Sequence, residues 1–463
     1  MKFRHYLIIT MSVLLLCFVA LTIQRGGDGL PDPNRPVSVA MWHTYVEQMK
    51  TCIDELVAEF NATVGKKEGI VVNVTAVSNA SVLNEKIIMA ANGDPGAPEL
   101  PDMALVYPSV AITLAAKGLL MDFRTQFSGV ELSAYVPRFL EEGKLGGSEL
   151  YLLPVAKSTE VLYVNATIFE RFSRDTGVTL SDLSTFEGIT NAARLYYEWT
   201  DAKTPDIPND GKTFYYPDIP FNFAMTGFEQ LGDHFVKDGA LDFSSPSFGR
   251  IWNCYYPGAV TGSIAIFDDY GNYLAKAGEI VCTTSTSAGA IFYPETVTYA
   301  DNTKEESVFV ILPYPVFEGG QKIAPQRGAG MCTFKSSKEK EYATAVFLKW
   351  LTNSAQNLRF VINTGYLPVT NEAFSDLMSG KYTGRQDANI QKMLSTAVAM
   401  HQDYKFYIPP VFDGFDELQK GYVEKILKFA EKDRHTYLSL LKEHSPARAF
   451  EILSHDALQR FIK

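Results

Sequence analysis

Leu153-Pro154-Val155-Ala156-Lys157-Ser158-Thr159-Glu160-Val161-Leu162-Tyr163-Val164-Asn165 is the stretch on which the fold turns. A proline-bearing extended run breaks at small polar residues, and an apolar, β-prone run (residues 161–164) follows and stops at Asn165. Two strands joined through Ser158-Thr159 expose hydroxyls where the chain changes direction. That marks a crossing between two lobes, the kind of junction where small-ligand clefts form.

Upstream of this stretch, strands and helices alternate. Residues 37–42 form an apolar strand, and residues 47–60 show helical spacing through Met49, Ile53, Leu56, Val57 and Phe60. Residues 70–77 read as a β-branched strand, 83–91 as a helix stopped by Asn92-Gly93, 103–107 as a strand, and 110–117 as a helix ended by Gly118. This order predicts a mostly parallel, doubly wound sheet with ligand beyond the carboxyl ends of its strands. Trp42-His43-Thr44, Ser78-Asn79 and Tyr107-Pro108 then fall at the rim of the first lobe.

Downstream, residues 186–199 read as a helix and 201–220, rich in Pro, Gly, Asp and Tyr, as an inserted loop. Residues 273–276 and 278–284 read as helix, turn and strand. Residues 308–312, followed by Pro313-Tyr314-Pro315, read as a second crossing, and 363–368 as a third. Residues 342–351 form an amphipathic helix, and 415–429 and 447–461 are closing helices. No internal repeat or low-complexity tract is visible.

A chain of 463 residues exceeds what one core serves and implies two lobes. At 46% hydrophobic and 21% charged it has the composition of a globular protein. A net charge of −11 without a basic stripe argues against a nucleic-acid partner. The 13% aromatic share fits either a sugar-stacking cleft or, as the default, core and lobe-interface packing.

Lys2, Arg4 and His5 precede an apolar run from Tyr6 to Ile23, and Gln24-Arg25-Gly26-Gly27-Asp28-Gly29 follows as a tether. Residues 1–29 are thus a signal or anchor segment that directs export. Cys17 sits after Leu16 inside the apolar run, which argues against lipidation, and Ala20-Leu21-Thr22 is a poor cleavage site. An uncleaved membrane anchor is therefore one outcome, since the run has about the length a bilayer requires. Cys52, Cys254, Cys282 and Cys332 lie far apart with no CxxC spacing, and buried free thiols are the default reading. The sequons at Asn61, Asn73, Asn79 and Asn165 are read as chance.

Several stretches, in order, carry a family resemblance: Met41-Trp42-His43-Thr44, Leu56-Val57-Ala58-Glu59-Phe60-Asn61, Pro101-Asp102-Met103-Ala104, the 153–165 stretch, residues 278–287, and Thr364-Gly365-Tyr366-Leu367-Pro368. Nearly everything after residue 36 resembles the extracellular solute-binding proteins of family 1 of ABC importers, which include maltose- and glycerol-3-phosphate-binding proteins. The resemblance implies an α/β fold of the two-lobed periplasmic-binding-protein type (type II, maltose-binding-like). Each lobe would be a mixed, mostly parallel sheet flanked by helices. Lobe 1 would hold residues 36–152 and 314–358, lobe 2 residues 153–313 and 359–463. It also implies a monomer that closes its lobes on a solute and hands it to membrane permease subunits.

Catalytic signatures are absent from the sequence: no GxSxG elbow, no Walker loop, no HExxH. Arg327-Gly328-Ala329-Gly330-Met331 leads into a strand and lacks the third glycine of a dinucleotide loop. The seven histidines show no zinc spacing. Glu141-Glu142 and Asp268-Asp269 are adjacent pairs and read as solvated surface. No enzyme, cofactor or metal is expected.

The candidate ligand contacts are Trp42, Asn79, Tyr107, Ser158, Thr286, Gly328, Tyr366 and Phe412. The Ser158 hydroxyl can bond a ligand or satisfy its own turn; the resemblance favours ligand. Thr283-Thr284-Ser285-Thr286-Ser287 ends a strand and can cap a helix over 288–292, with Thr286 the contact that the resemblance points to. Tyr366, fixed between Gly365 and Leu367-Pro368, and Trp42 can stack on a sugar or plug an interface. Gly328 permits close backbone approach. The glycerol-3-phosphate subgroup has a Glu where Pro108 stands and a phosphate-gripping Arg at the place of Phe412. Losing that donor argues against a phosphate ester and for a neutral ring, a mono- or oligosaccharide. Other readings are a glycerophosphodiester binder, a carbohydrate-active hydrolase, and a protein presenting ligand to a membrane sensor.

Overall fold

A computed structural model describes residues 30–381 and 387–463. Residues 1–29, expected to be a signal or anchor segment with its tether and including Cys17, lie outside the described residues. The described chain groups into two compact units. One holds the chain up to Ala156 together with Ala329–Phe360 and Pro368–Tyr382; the other holds Lys157–Gly328, Val361–Leu367 and Thr383–Lys463.

In the first unit, Val37–His43, Ile70–Ala76 and Met103–Val106 are parallel, and Gly330–Thr333 runs antiparallel beside Met103–Val106. The Val37–His43 strand lies inside the sheet with Val37 opposite Ile70 and Met41 opposite Met103. Its alternation buries Val39 and Met41 completely. Helix Glu47–Phe60 buries Met49, Cys52, Ile53, Leu56, Val57 and Phe60, the face its spacing predicted. Beyond Phe60 it widens into a π-type turn, Asn61–Gly65. There the Asn61 side chain donates to the Val72 carbonyl at 2.9 Å and accepts from the Val72 N–H at 2.8 Å.

The second unit is built on Glu160–Asn165, every residue of which is buried. Phe309–Leu312 and Cys282–Thr286 flank it antiparallel, and Tyr215–Pro217 adds a parallel edge to Cys282–Thr286. Residues 201–220 are therefore not wholly an inserted loop. Phe214, Tyr215 and Tyr216 are buried, and the Tyr215 hydroxyl lies 2.9 Å from the Thr284 hydroxyl. Pro217, which has no N–H to give, sits at the strand's end on the sheet edge, where proline is tolerated.

Residues 314–328, expected in the first lobe, group with the second unit. The physical reason is Gln230, buried in helix Pro220–Gln230. Its amide donates to the Pro315 and Ile323 carbonyls (2.9 and 2.8 Å) and accepts from the Phe317 N–H at 2.9 Å. Ile323–Pro325 also pairs with Lys405–Tyr407. Around helices Pro246–Thr261 and Phe415–Leu440, the rings of Phe235, Phe248, Trp252, Tyr422 and Phe461 pack edge-on, stacked or tilted. Much of the aromatic share is thus core, the default reading. All four described cysteines are buried free thiols. Among the described residues no helix is long and apolar enough to cross a membrane.

Candidate functional site

In the first unit the three parallel strands deliver Trp42, Asn79 and Tyr107 to the same end of the sheet, at or just past their carboxyl termini. Tyr107 is 42% exposed and precedes helix Pro108–Ala116, which begins at proline. Trp42 is half-buried and packs against the cluster of Val77, Leu83, Val106 and Leu152, so part of its ring is committed to the core. Asn79 is the N-cap of helix Ala80–Asn92: its side-chain oxygen accepts from the Val82 N–H at 2.9 Å.

The second unit brings Ser158, Thr286, Gly328 and Tyr366 together at one node of backbone bonds. Ser158 exchanges main-chain bonds with Arg327 at 2.9 and 2.8 Å. Lys157 exchanges them with Leu367 at 3.3 and 2.6 Å, and the Ser287 N–H donates to the Thr159 carbonyl at 2.8 Å. The Ser287 hydroxyl accepts from the Thr159 N–H at 3.3 Å, and the Tyr163 hydroxyl donates to the Thr286 carbonyl at 2.9 Å. Lys157 is fully buried, with its ammonium on the Gly328 carbonyl.

Two glycines make the node possible. Gly328 has φ +95°, a region closed to most side chains. Gly365 has φ +79°, and a Cβ there would lie 2.9 Å from the Ser287 carbonyl. Tyr366 is therefore held by a turn that only glycine allows.

The helix expected over 288–292 is instead a short 3-10 stretch, Ser287–Phe292, and the Thr286 side chain makes no capping bond. The strand runs through Thr286, so the hydroxyl run belongs to the sheet. Phe412 lies in the loop before helix Phe415–Leu440, its ring edge-on to Phe415 at 5.5 Å. Of the adjacent acidic pairs, Asp268-Asp269 is exposed as expected, whereas Glu142 is only 8% exposed.

Sequence reasoning missed a polar group beside the node. Glu160 is buried, and one carboxylate oxygen accepts from the Asn222 amide at 2.8 Å and from the Arg327 guanidinium at 2.9 Å. Burial pushes the Glu160 carboxyl above its ordinary value, with Arg327 pulling it back. Asp218 accepts from the Gly271 N–H at 2.7 Å and from the Ser285 hydroxyl at 2.9 Å, and burial raises its carboxyl too. The signal was available in part: Glu160 is the lone charge in an otherwise apolar strand, and such a residue requires partners. Tyr270 and Tyr273, 65% and 50% exposed, were also passed over. Among the described residues no group of acidic, His or Cys side chains is placed to hold a metal.

The family described as bacterial extracellular solute-binding protein matches residues 55–386, and the chain belongs to it. No curated protein sequence matches. Solved structures share the fold across 92% of this chain. The cyclic α-maltosyl-1,6-maltose binding protein of Arthrobacter globiformis is 18% identical, covered over 99% of its length, with a TM-score of 0.62. UgpB from Mycobacterium tuberculosis, in complex with glycerophosphocholine, is 18% identical, covered over 98%, with a TM-score of 0.62. The ABC substrate-binding protein Lmo0181 from Listeria monocytogenes, in complex with cycloalternan, is 15% identical, covered over 99%, with a TM-score of 0.64.

Proposed function

We propose that this chain is the extracytoplasmic solute-binding component of an ABC import system. It captures a mono- or oligosaccharide by lobe closure and delivers it to membrane permease subunits, without chemically changing it. The observation that carries this reading, beyond family membership, is the node in the second unit. Ser158, Thr286, Gly328 and Tyr366, far apart in sequence, converge where the Glu160–Asn165 and Cys282–Thr286 strands meet, with Ser158 buried and Thr286 and Tyr366 partly exposed. Hydroxyls, a backbone that permits close approach and an aromatic ring suit a polyhydroxylated ring. Trp42, Tyr107, Asn79 and Phe412 are the further contacts proposed. Anchoring by residues 1–29 and a monomeric state complete the proposal.

A thermal-shift screen against sugars, polyols and glycerophosphodiesters tests it. A ligand at about a hundredfold excess over its Kd stabilises the folded state by about 2.7 kcal/mol. The expected result is a selective rise with one sugar class, the sugar being recovered intact. A rise with glycerophosphocholine alone would make this a glycerophosphodiester binder, as the likeness to the glycerophosphocholine complex also allows. Release of a cleaved sugar would make it a hydrolase.

A further inference from the structure

We propose that Lys157 is a positioning residue for solute capture: its buried ammonium braces the open middle of a two-stranded ribbon and keeps the free protein from bending there. Ser158 and Arg327 exchange main-chain bonds at 2.9 and 2.8 Å, and Leu153 and Met331 exchange them at 2.9 Å each way. Between these two bridges residues 154–157 face residues 328–330. The facing stretches differ by one residue, so no regular ladder closes across the middle. Pro154 has no N–H to offer there in any case. The chain passes from one unit to the other within this open stretch, at 156–157 and again at 328–329.

What crosses the middle is the Lys157 side chain. Lys157 is fully buried, and its ammonium donates to the Gly328 carbonyl, which Gly328 presents from a backbone at φ +95°. The Lys157 main chain donates to Leu367 at 3.3 Å and accepts from it at 2.6 Å, so the base of the side chain is fixed as well. A charge-assisted bond is about twice as strong as a neutral one, and a lysine sealed from solvent cannot exchange the carbonyl for water. The far side of the ribbon is held separately. Asn357, 1% exposed, donates to the Val155 carbonyl at 2.9 Å and accepts from the Val369 N–H at 3.0 Å. Ala156 and Ala329, one at each passage, are left with no hydrogen bond among the described residues. Bending is therefore confined to these two small residues, and the Lys157 brace stands directly beside both.

Such a brace acts before solute arrives. Freedom that the free protein has already given up is not lost again on binding, so apparent affinity rises without any contact between Lys157 and solute. Lys157 serves any solute alike; its role rests on capture by lobe closure and not on the sugar reading.

The test is pulsed electron–electron distance measurement on the full-length protein, with Cys17 replaced by alanine and nitroxides on Val130→Cys in the first unit and Ile207→Cys in the second, both exposed positions. Without added solute, the native Lys157 is expected to give one narrow distance distribution. K157M fills the same space without a donor and should widen it about twofold or more, whereas K157R keeps a donor and should leave it nearly as narrow. Melting temperatures are read alongside. A merely structural role would lower the melting temperature of K157M without widening its distribution, and that result overturns the brace. Equal widths in all three proteins, or a broad distribution with Lys157 in place, overturn it too. Thermal unfolding identifies a K157M that does not fold; K157Q, too short to reach the carbonyl, then takes its place with the same widening expected. Failure of every sugar in the thermal-shift screen would overturn the carbohydrate reading and leave the brace standing.

Discussion

His43 ends the first strand with a neutral imidazole that burial keeps from taking a second proton. Its Nδ1 accepts from the Tyr45 N–H at 3.1 Å, the ring is fully buried, and burial pushes its pKa from 6.5 to about 4. Between those values the unfolded chain binds a proton that the folded chain refuses, so stability falls as pH drops through that window. Urea midpoints should record a loss of up to about 3 kcal/mol, and His43→Gln should flatten that part of the profile. Glu160 acts in the opposite sense: its raised carboxyl contributes stability that is lost as pH rises, so the difference between wild type and His43→Gln isolates the imidazole. Asn79→Ala, by removing a helix cap, should cost about 1 kcal/mol in thermal or urea unfolding, and Asn79→Ser should restore it. At this scale the turns that carry Ser158 and Tyr366 were legible, because local breaks and glycines fix turns. The sequence did not announce that Glu160 would meet Asn222 and Arg327, since pairing across such separations depends on the sheet having formed.

Among the elements, the most exacting joint is Asp433, buried in helix Phe415–Leu440. It accepts from the Tyr256 hydroxyl at 2.6 Å and from Arg460 at 3.1 and 3.3 Å, tying that helix to Pro246–Thr261 and Ala457–Ile462. Asp433→Ala removes the buried acceptor of the Tyr256 hydroxyl and leaves Arg460 with Asp456 and the Leu453 carbonyl alone, and should cost about 1–3 kcal/mol by chemical denaturation. Long periodic elements were plain in the sequence: Glu47–Phe60 has the bounds its apolar spacing gave. Residues 447–461 were misread as one helix because Ala449, Leu453, Ala457 and Phe461 keep a four-residue spacing straight through the break between Pro446–Ser454 and Ala457–Ile462. The edge strand Tyr215–Pro217 was hidden by its brevity and by the proline and glycine around it.

Over the described residues, each unit is assembled from separate stretches of chain, with passages at residues 156–157, 328–329, 360–361 and 367–368. The opening crossing was legible because its proline and hydroxyl break is local; the return near residue 328 was not, because the Gln230 contacts that hold residues 314–328 in the second unit are distant in sequence. A chain ending at residue 382 loses the partner strand of Ile323–Pro325 and the helix against Pro246–Thr261. Limited proteolysis should then digest Lys157–Gly328 while sparing the first unit. The buried thiols have a practical consequence of their own. Burial pushes Cys52 up to about 11 and Cys254 and Cys332 to about 12, and holds Cys282 well above its ordinary value, so none offers a thiolate to an oxidant or a dye while the protein is folded. Cys52 and Cys332 belong to one unit, Cys254 and Cys282 to the other. Pulsed maleimide labelling read by peptide mass can therefore time the opening of each half separately, giving the molecule two native clocks of its own unfolding.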